Sequence, residues 1–194
     1  MSKIEQNKER KREKILVAAQ ETFLSEGYVL ASMDRIAAHA QMTKQTVYRY
    51  FPSKIDLFQA TLKEMGKSSE DGFLVHLKKT DTREALLGYA RDFIRFHVSD
   101  EHIATFRLLV AESAKAPEIT RSFLNVGPNK TTDTLSSFFS ERFNIKDTES
   151  IIHLWTGMLL ELRSGVLVGM EKPSKQQIDN RARVATDFLL AAIS

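Results

Sequence analysis

The chain has 194 residues, of which 42% are hydrophobic and 27% charged, with no cysteine and a formal net charge of +3. This length fits one domain, or a small module joined to a larger one, with a core that needs no cross-links. The missing cysteines exclude disulfides, a thiolate nucleophile and cysteine-based zinc sites. No apolar stretch follows the basic start, and no uncharged run reaches the ~20 residues of a membrane span. We therefore expect a cytoplasmic protein without a membrane segment.

The positive charge is concentrated in the first quarter of the chain. Residues 1–54 contain ten lysines and arginines against six acids, a balance of +4, whereas the remaining residues balance at −1. Such asymmetry indicates a polyanion as a partner. A helix start with mixed, solvated charges would produce the same count, so charge alone leaves both interpretations open.

Helix signals are dense in the first quarter of the chain, and strand signals are nearly absent. Apolar residues recur at helical spacing over residues 8–25, and Gly27 can close this first helix. Ser32 and Thr43 stand where the N-caps of two short helices are expected. Pro52 ends the second of these helices, because proline cannot continue the hydrogen-bonding pattern.

The same signals continue through the rest of the sequence. Ser53 and Asp81 each precede an acidic residue at the capping-box spacing, which predicts the starts of two longer helices. Residues 147–170 and 174–193 form two long, strongly apolar helical patterns. The sequence therefore predicts an all-α protein of about nine or ten helices.

Residues 32–51 predict a helix-turn-helix, since a short helix, a tight connection and a second short helix follow one another. Val47 and Phe51, four residues apart, would fasten the second helix to its module. The remaining side chains of that helix are of the types that contact base edges or phosphates. The helix N-termini in this segment would add N–H groups that favour a phosphate. An ordinary helical corner with a polar face is the alternative interpretation.

At this point the sequence resembles the TetR/AcrR family of bacterial transcriptional repressors. The resemblance covers the first quarter of the chain, including the stretch SMDRIAAHAQMTKQTVYRYFPSKIDLF, and is most characteristic from Tyr48 to Phe58. Carried over by position, it implies base-edge contacts from Lys44, Gln45, Thr46 and Arg49. It implies phosphate contacts from Ser32, Thr43, Tyr48, Tyr50 and Lys54.

Two positions depart from the family pattern. The turn usually carries glycine where Gln41 stands, and the recognition helix usually carries glycine where Gln45 stands. Gln41 can adopt the turn at some strain, and the side chain of Gln45 implies different base preferences. The module is unaffected, whereas the operator sequence is left open. We predict a DNA-binding domain over residues 1–54 and a ligand-binding and dimerisation domain over residues 55–194.

The C-terminal body carries more apolar surface than its own subunit can readily bury. Residues 106–128 look like part of an AefR-like C-terminal domain. In the family the last two helices pair with their twofold mates as a four-helix bundle, so we expect a homodimer through residues 147–170 and 174–193. A core contained within one monomer is the alternative.

The central helices are rich in large side chains, and the resemblance implies a cavity there for a small hydrophobic or aromatic effector. Packed core is the alternative for each of these residues. The candidate contacts are Phe93, Phe96, His97, Phe106, Phe123, Trp155, Met158 and Arg163. The five histidines show no metal-binding spacing, and His97 and His102, five residues apart, do not share a helix face. The sequence also shows no catalytic motif, so we predict neither an enzyme nor a metal or cofactor site.

Together these observations predict a ligand-responsive repressor that binds a palindromic operator in double-stranded DNA as a homodimer. A small-molecule inducer would release it. Twofold symmetry would place the half-site centres one helical turn, ~34 Å, or a multiple of it apart. Two alternatives remain: a DNA-binding regulator without a small-molecule ligand, and a helical small-molecule-binding protein whose basic end is incidental.

Overall fold

The computed structural model describes residues 2–126, 128–143, 145 and 147–193, with the side chains at 67–71 and 128–130 outside this description. These residues form ten α-helices and no strand, so the predicted all-α fold is confirmed. A short 3₁₀ helix, Val75–Lys78, follows the fourth α-helix. None of the described helices is both long and apolar enough to cross a bilayer. The helices are α1 Lys3–Glu26, α2 Met33–His39, α3 Lys44–Tyr50, α4 Lys54–Leu74, α5 Thr82–His97, α6 Asp100–Glu112, α7 Pro117–Val126, α8 Pro128–Arg142, α9 Thr148–Leu167 and α10 Lys175–Ile193.

Most helix boundaries lie where local sequence signals predict them. Gly27 ends α1 with a φ of 83°, a conformation that glycine adopts without steric cost. The Ser32 hydroxyl accepts a hydrogen bond from the Arg35 N–H at 3.2 Å, and the Asp81 carboxylate accepts one from the Glu84 N–H at 2.7 Å. Each bond satisfies a backbone donor that the first helical turn leaves unpaired.

Two further predicted caps are confirmed in the same segment. The Thr43 hydroxyl accepts a hydrogen bond from the Thr46 N–H at 3.2 Å. The Ser53 hydroxyl accepts one from the Asp56 N–H at 3.2 Å and donates to the Asp56 carboxylate at 2.6 Å. Both bonds span three residues, which is why the sequence alone could predict them.

The ninth helix is slightly shorter than the apolar pattern predicts. It ends at Leu167, and Gly169 then adopts a φ of 94°. The Met170 N–H returns to the Gly165 carbonyl at 3.0 Å. This turn closes the helix although apolar residues continue beyond it.

The described chain divides into two compact units. Unit one consists of the described residues of 1–66 and 107–126, and unit two consists of those of 67–106 and 127–194. Helices α4 and α6 therefore contribute residues to both units. The predicted functional boundary after residue 54 stays a prediction.

In unit one, α1 packs on α2 and α2 packs on α3. Three aromatic rings form the centre of this core, with ring centroids 5.2 Å apart for Phe23 and Phe58 and 5.1 Å apart for Tyr28 and Phe58. Val47 is 0% exposed and Phe51 is 6% exposed. Both therefore anchor α3 as predicted, which leaves the rest of that helix for other contacts.

In unit two, α5 packs against α9 and α10, and α8 packs against α9. The core is aromatic, with Trp155 stacked on Tyr89 at 5.4 Å and set edge-on to Phe139 at 6.1 Å between ring centroids. All three side chains are fully buried. Aromatic pairs of this geometry stabilise a core beyond the apolar area that they bury.

Candidate functional site

The exposed face of α3 contains most of the predicted base-reading residues. Val47 and Phe51 turn inward, so the other side chains of the helix are left at or near the surface. The exposed members are Lys44, Gln45, Tyr48 and Arg49, and the half-buried ones are Thr46 and Tyr50. Side chains of these types on one seven-residue helix suit the major groove of DNA.

The turn before α3 adopts the strained conformation expected of it. Gln41 has a φ of 54°, in the left-handed region that disfavours side chains with a Cβ atom. The Gln41 N–H donates to the Ala38 carbonyl at 3.0 Å, and the Met42 N–H donates to the Ala37 carbonyl at 2.9 Å. This is the Schellman pattern that ends a helix, and it sets the angle at which α3 leaves α2.

Lys44 is held by an acid within the same module. Its ammonium lies 2.9 Å from the Asp34 carboxylate of α2 and 5.9 Å from the centre of the Tyr48 ring. The hydrogen bond from Lys44 to Asp34 raises the pKa of Lys44, and their charge attraction adds to the shift. A DNA contact by Lys44 therefore competes with Asp34.

Arg49 differs from Lys44 because it has no acid beside it among the described residues. Its guanidinium lies 5.9 Å from the centre of the Tyr50 ring, and the residue is exposed. An arginine in this state keeps its planar set of donors available for a guanine edge. Arg49 and the exposed Gln45 are therefore the side chains of α3 best prepared to read bases.

Lys54 is occupied by the backbone of its own unit. Its ammonium donates to the carbonyl oxygens of Tyr28 at 2.8 Å, Val29 at 3.2 Å and Ala31 at 3.0 Å. It also lies 4.6 Å from the centre of the Tyr28 ring. Three carbonyls use all three N–H donors of a lysine. Lys54 thus holds the loop between α1 and α2. The predicted phosphate contact of Lys54 would have to use the same three N–H donors.

Ser32 and Thr43 use their hydroxyl oxygens as helix caps. The Thr43 hydroxyl also pairs with the Thr46 hydroxyl at 2.9 Å. Because the Ser32 hydroxyl only accepts in its cap, its hydrogen is left for a phosphate oxygen. Both caps lie at helix N-termini, where N–H groups and the helix dipole attract an anion.

Glu112 supports the loop between α1 and α2 and was not found by sequence reasoning. Its carboxylate accepts a hydrogen bond from the Val29 N–H at 3.0 Å and packs against Gly27, so closely that a Cβ there would collide with it. The contact between Val29 and Glu112 spans 83 positions, so no local sequence pattern could reveal it.

Tyr28 lies in the same loop. Burial raises its pKa to about 12, and the Glu118 carboxylate adds to the effect.

The predicted effector contacts fall into different environments. Phe93 and Trp155 belong to the buried core of unit two, and Phe96 and Met158 pack against that core. Phe123 is half-buried on α7, in unit one. Their roles as effector contacts stay predictions.

The remaining candidates, His97, Phe106 and Arg163, lie together with His102 in unit two. We call this group the basic cluster. His97 ends α5 and His102 lies in the first turn of α6, and their ring centroids are 4.6 Å apart. They do not share a helix face, as expected, because they lie on two helices, but the contact between their rings was not anticipated from the sequence. Ser99, whose hydroxyl accepts the His102 N–H at 3.3 Å, caps a new helix between them. Across the same cluster the Arg163 guanidinium lies 4.2 Å from the centre of the Phe106 ring.

The electrostatics of this basic cluster follow from burial. Burial lowers the pKa of His102 to about 4, and the Arg163 guanidinium adds to the shift. Burial also lowers the pKa of His97 well below its usual value, and His102 adds to that effect. The His97 Nδ1 lies 2.7 Å from the Phe93 carbonyl oxygen, so this nitrogen carries the proton. Among the described residues no three metal-ligating side chains come together.

A short helix pair, a tight left-handed turn and an exposed cationic second helix define a helix-turn-helix DNA-binding module. Comparison with known proteins identifies the class. The family described as "Bacterial regulatory proteins, tetR family" matches residues 15–61, and "AefR-like transcriptional repressor, C-terminal domain" matches residues 84–192. The chain therefore belongs to the TetR family of transcriptional regulators and carries an AefR-like C-terminal domain.

Individual relatives support this assignment. The HTH-type transcriptional activator FasR of Mycolicibacterium smegmatis is 33% identical over 90 residues, which are 46% of this chain and 41% of FasR. The matched region thus spans less than half of that relative. The flavonoid-responsive regulator FrrA is 26% identical with a TM-score of 0.81, over 94% of this chain and 96% of FrrA. A TetR-family regulator from Mesorhizobium loti MAFF303099 is 25% identical with a TM-score of 0.79, over 94% and 96% of the two chains.

Proposed function

We propose that this regulator is a homodimeric repressor that binds a palindromic operator and is released by a small aromatic effector. The observation that carries the DNA-binding part is the face of α3, where Arg49 and Gln45 are exposed and Arg49 has no acidic partner among the described residues. The AefR-like C-terminal domain favours repression, since the matching family is described as repressors. Residues 1–54 would bind DNA in the cytoplasm, and residues 55–194 would bind the effector and the second subunit.

The test of DNA binding starts from a duplex selected by this protein from a random pool. Arg49→Ala should narrow the difference in affinity between that duplex and a scrambled one by about 1–3 kcal/mol, and Lys44→Ala should act in the same sense. Lys54→Ala should weaken binding to both duplexes about equally. Arg121→Ala, an exposed arginine of α7, serves as the control. Equal losses for all three variants on both duplexes would contradict this division of roles.

Exposed apolar side chains on the last two helices support the homodimer. Leu154 on α9 is 71% exposed, and Val184 and Phe188 on α10 are 49% and 64% exposed. Several such residues on two neighbouring helices suit a contact with another molecule, whereas a single exposed apolar residue is ordinary. Phe188→Asp should give a monomer in analytical ultracentrifugation and weaken operator binding, whereas Val110→Asp, at an exposed valine of α6, should remain dimeric. A dimeric Phe188→Asp variant would place the interface elsewhere.

Release by an effector would follow from its preference for a DNA-incompetent conformation. A tenfold loss of operator affinity requires a differential affinity of about 1.4 kcal/mol between the two conformations. Helix α4 carries residues of both units, so its displacement offers a route from effector to recognition helix. The name of the similar FrrA, a flavonoid-responsive regulator, supports an aromatic effector. A thermal-shift screen of aromatic and lipophilic compounds, followed by operator titrations, tests the proposal. A screen without binders would favour the regulator that uses no small molecule.

A further inference from the structure

The basic cluster of unit two lacks negative charge among the described residues. Arg163 forms no ion pair with a described carboxylate, and its Nε atom is buried without a hydrogen-bond partner there. Two acids near the cluster in sequence are occupied, because Glu161 pairs with Arg181 at 2.6 Å and Asp100 pairs with Lys172 at 2.7 Å. A partly buried cation without a counterion is costly, and structures seldom retain one without a purpose.

The neighbours of Arg163 favour an anion over any other ligand. His102 is 7% exposed and lies with His97 at the same end of the core, so both nearest titratable side chains are bases. A cationic or metal ligand would meet repulsion at this position. An anion would instead meet a guanidinium whose planar donors match the two oxygens of a carboxylate.

The walls of the cluster indicate what the anion is attached to. The Phe96 ring lies 4.8 Å from the His102 ring, and the Phe106 ring lies stacked on His102 at 6.2 Å between centroids. Phe96, Phe106 and Arg163 are only half-buried, so the cluster is not sealed within the core. Aromatic rings recognise a planar ring by stacking and edge contacts.

We propose that Arg163 binds the carboxylate of an aromatic acid whose ring packs among Phe96 and Phe106. The proposal rests on the proposed function in placing an effector in unit two, and it adds the chemical class of that effector. Nothing in the sequence specifies this arrangement, since its members lie on three different helices.

The test uses 2-naphthoate and 2-naphthamide, which have nearly the same shape and differ in charge. Calorimetric titration of the full-length protein at pH 7.5 should give a dissociation constant at least about tenfold lower for naphthoate. Arg163→Met, which removes the charge at similar volume, should bring the two constants together. Arg163→Lys should keep part of the preference, because the charge remains without the planar donors. Equal affinities in the unmodified protein would overturn the proposal.

The matched control is Arg142→Met. Arg142 also lies over a phenylalanine ring, with its guanidinium 5.4 Å from the centre of Phe138, but it is exposed on α8. This variant should retain the preference for naphthoate, and an equal loss in both variants would reject a specific site at Arg163. If Arg163→Met does not fold, the Nε–H resonance of Arg163 in the unmodified protein decides: it should shift with naphthoate and not with naphthamide.

Operator titrations separate this proposal from the proposed function. If naphthoate binds through Arg163 and leaves the affinity for the selected duplex unchanged, the carboxylate site stands and the effector role fails. If only uncharged aromatic compounds bind and release the duplex, the effector role stands and the carboxylate site is overturned.

Discussion

The two units of the molecule differ in whether their polar groups have hydrogen-bond or ion-pair partners. In unit one the ammonium of Lys54 meets three carbonyls and that of Lys44 meets Asp34. In unit two the Tyr89 hydroxyl, the Trp155 indole N–H and the Arg163 Nε are buried with no hydrogen-bond partner among the described residues. No such atom was found in the described part of unit one.

This difference fits the two roles proposed above, a rigid DNA-reading unit and an effector-binding unit. Unit one holds α3 in one orientation, which reading a base sequence requires. Buried polar groups without partners are rare in native proteins, so each one calls for an explanation. Those of unit two support the effector site that we propose there.

The largest effect is a loss of stability of unit two in acid. At pH 7 His102 is neutral in both folded and unfolded states. Below its usual pKa of 6.5 the unfolded chain binds a proton that the folded chain, with a pKa of about 4, does not. The free energy of unfolding therefore falls with pH, by about 3 kcal/mol from this group once pH 4 is reached.

Urea titrations at pH 7 and pH 4.5, followed by Trp155 fluorescence, measure this change. His102→Gln should lose less stability on acidification than the unmodified protein, because glutamine does not titrate. His153→Gln, at an exposed histidine of α9, should behave like the unmodified protein. Parallel pH curves for all three proteins would show that burial of His102 does not control acid stability.

The next effect is the loss of the Lys54 contacts in unit one. Lys54→Met removes the partner of three loop carbonyls and should lower the free energy of unfolding by about 2 kcal/mol. It should also reduce affinity for every DNA sequence, because the loop before α2 loses its support. Lys63→Met, at an exposed lysine of α4, should change neither property in the same assays. A fully stable Lys54→Met protein with weakened DNA binding would instead favour the direct phosphate contact.

Two glutamine-to-glycine substitutions should change the free energy of unfolding in opposite directions. Gln41→Gly relieves the left-handed conformation of the turn and should stabilise the protein by about 1 kcal/mol. Gln45→Gly places glycine inside α3 and should destabilise it by about the same amount. Thermal unfolding of the two variants side by side provides the comparison. Destabilisation by both changes would mean that the turn at Gln41 is not strained.

The smallest effect concerns the acid that holds Lys44. Asp34→Asn removes the competing carboxylate, so DNA affinity should rise by about two- to fivefold, the range of one exposed ion pair. The rise should be larger for the selected duplex than for a scrambled one, because Lys44 is proposed to contact a base edge. Asp133→Asn, at an exposed aspartate of α8, should leave affinity nearly unchanged. Weaker binding by Asp34→Asn would show that Asp34 positions Lys44 for DNA.

Local signals allowed much of the helical layout to be predicted from the sequence. The caps at Ser32, Thr43, Ser53 and Asp81 each bond a backbone N–H three residues away. Val47 and Phe51 are four residues apart on one helix, so their burial followed from helical geometry. The family resemblance was confirmed because it rested on a continuous stretch of such local features.

The site in unit two could be predicted only in part. Large aromatic side chains on central helices predicted the region of the effector site, and several of them do meet. The pairing of His97 with His102 was missed, because Ser99 begins a new helix and turns the second histidine back toward the first. The spacing of five residues showed only that the two histidines do not share a helix face.

The helices, their caps, the basic first quarter and the membership in a family of regulators could all be predicted from the sequence. All of these depend on residues within a few positions of one another, or on composition. In contrast, the contacts of Lys54 with a loop 23 to 26 residues away and of Glu112 with Val29 became visible only in the folded chain. The position of Arg163 beside aromatic rings and bases, without an acid among the described residues, also became visible only there. Burial and charge compensation depend on which helices meet, and that is settled only when the whole chain packs.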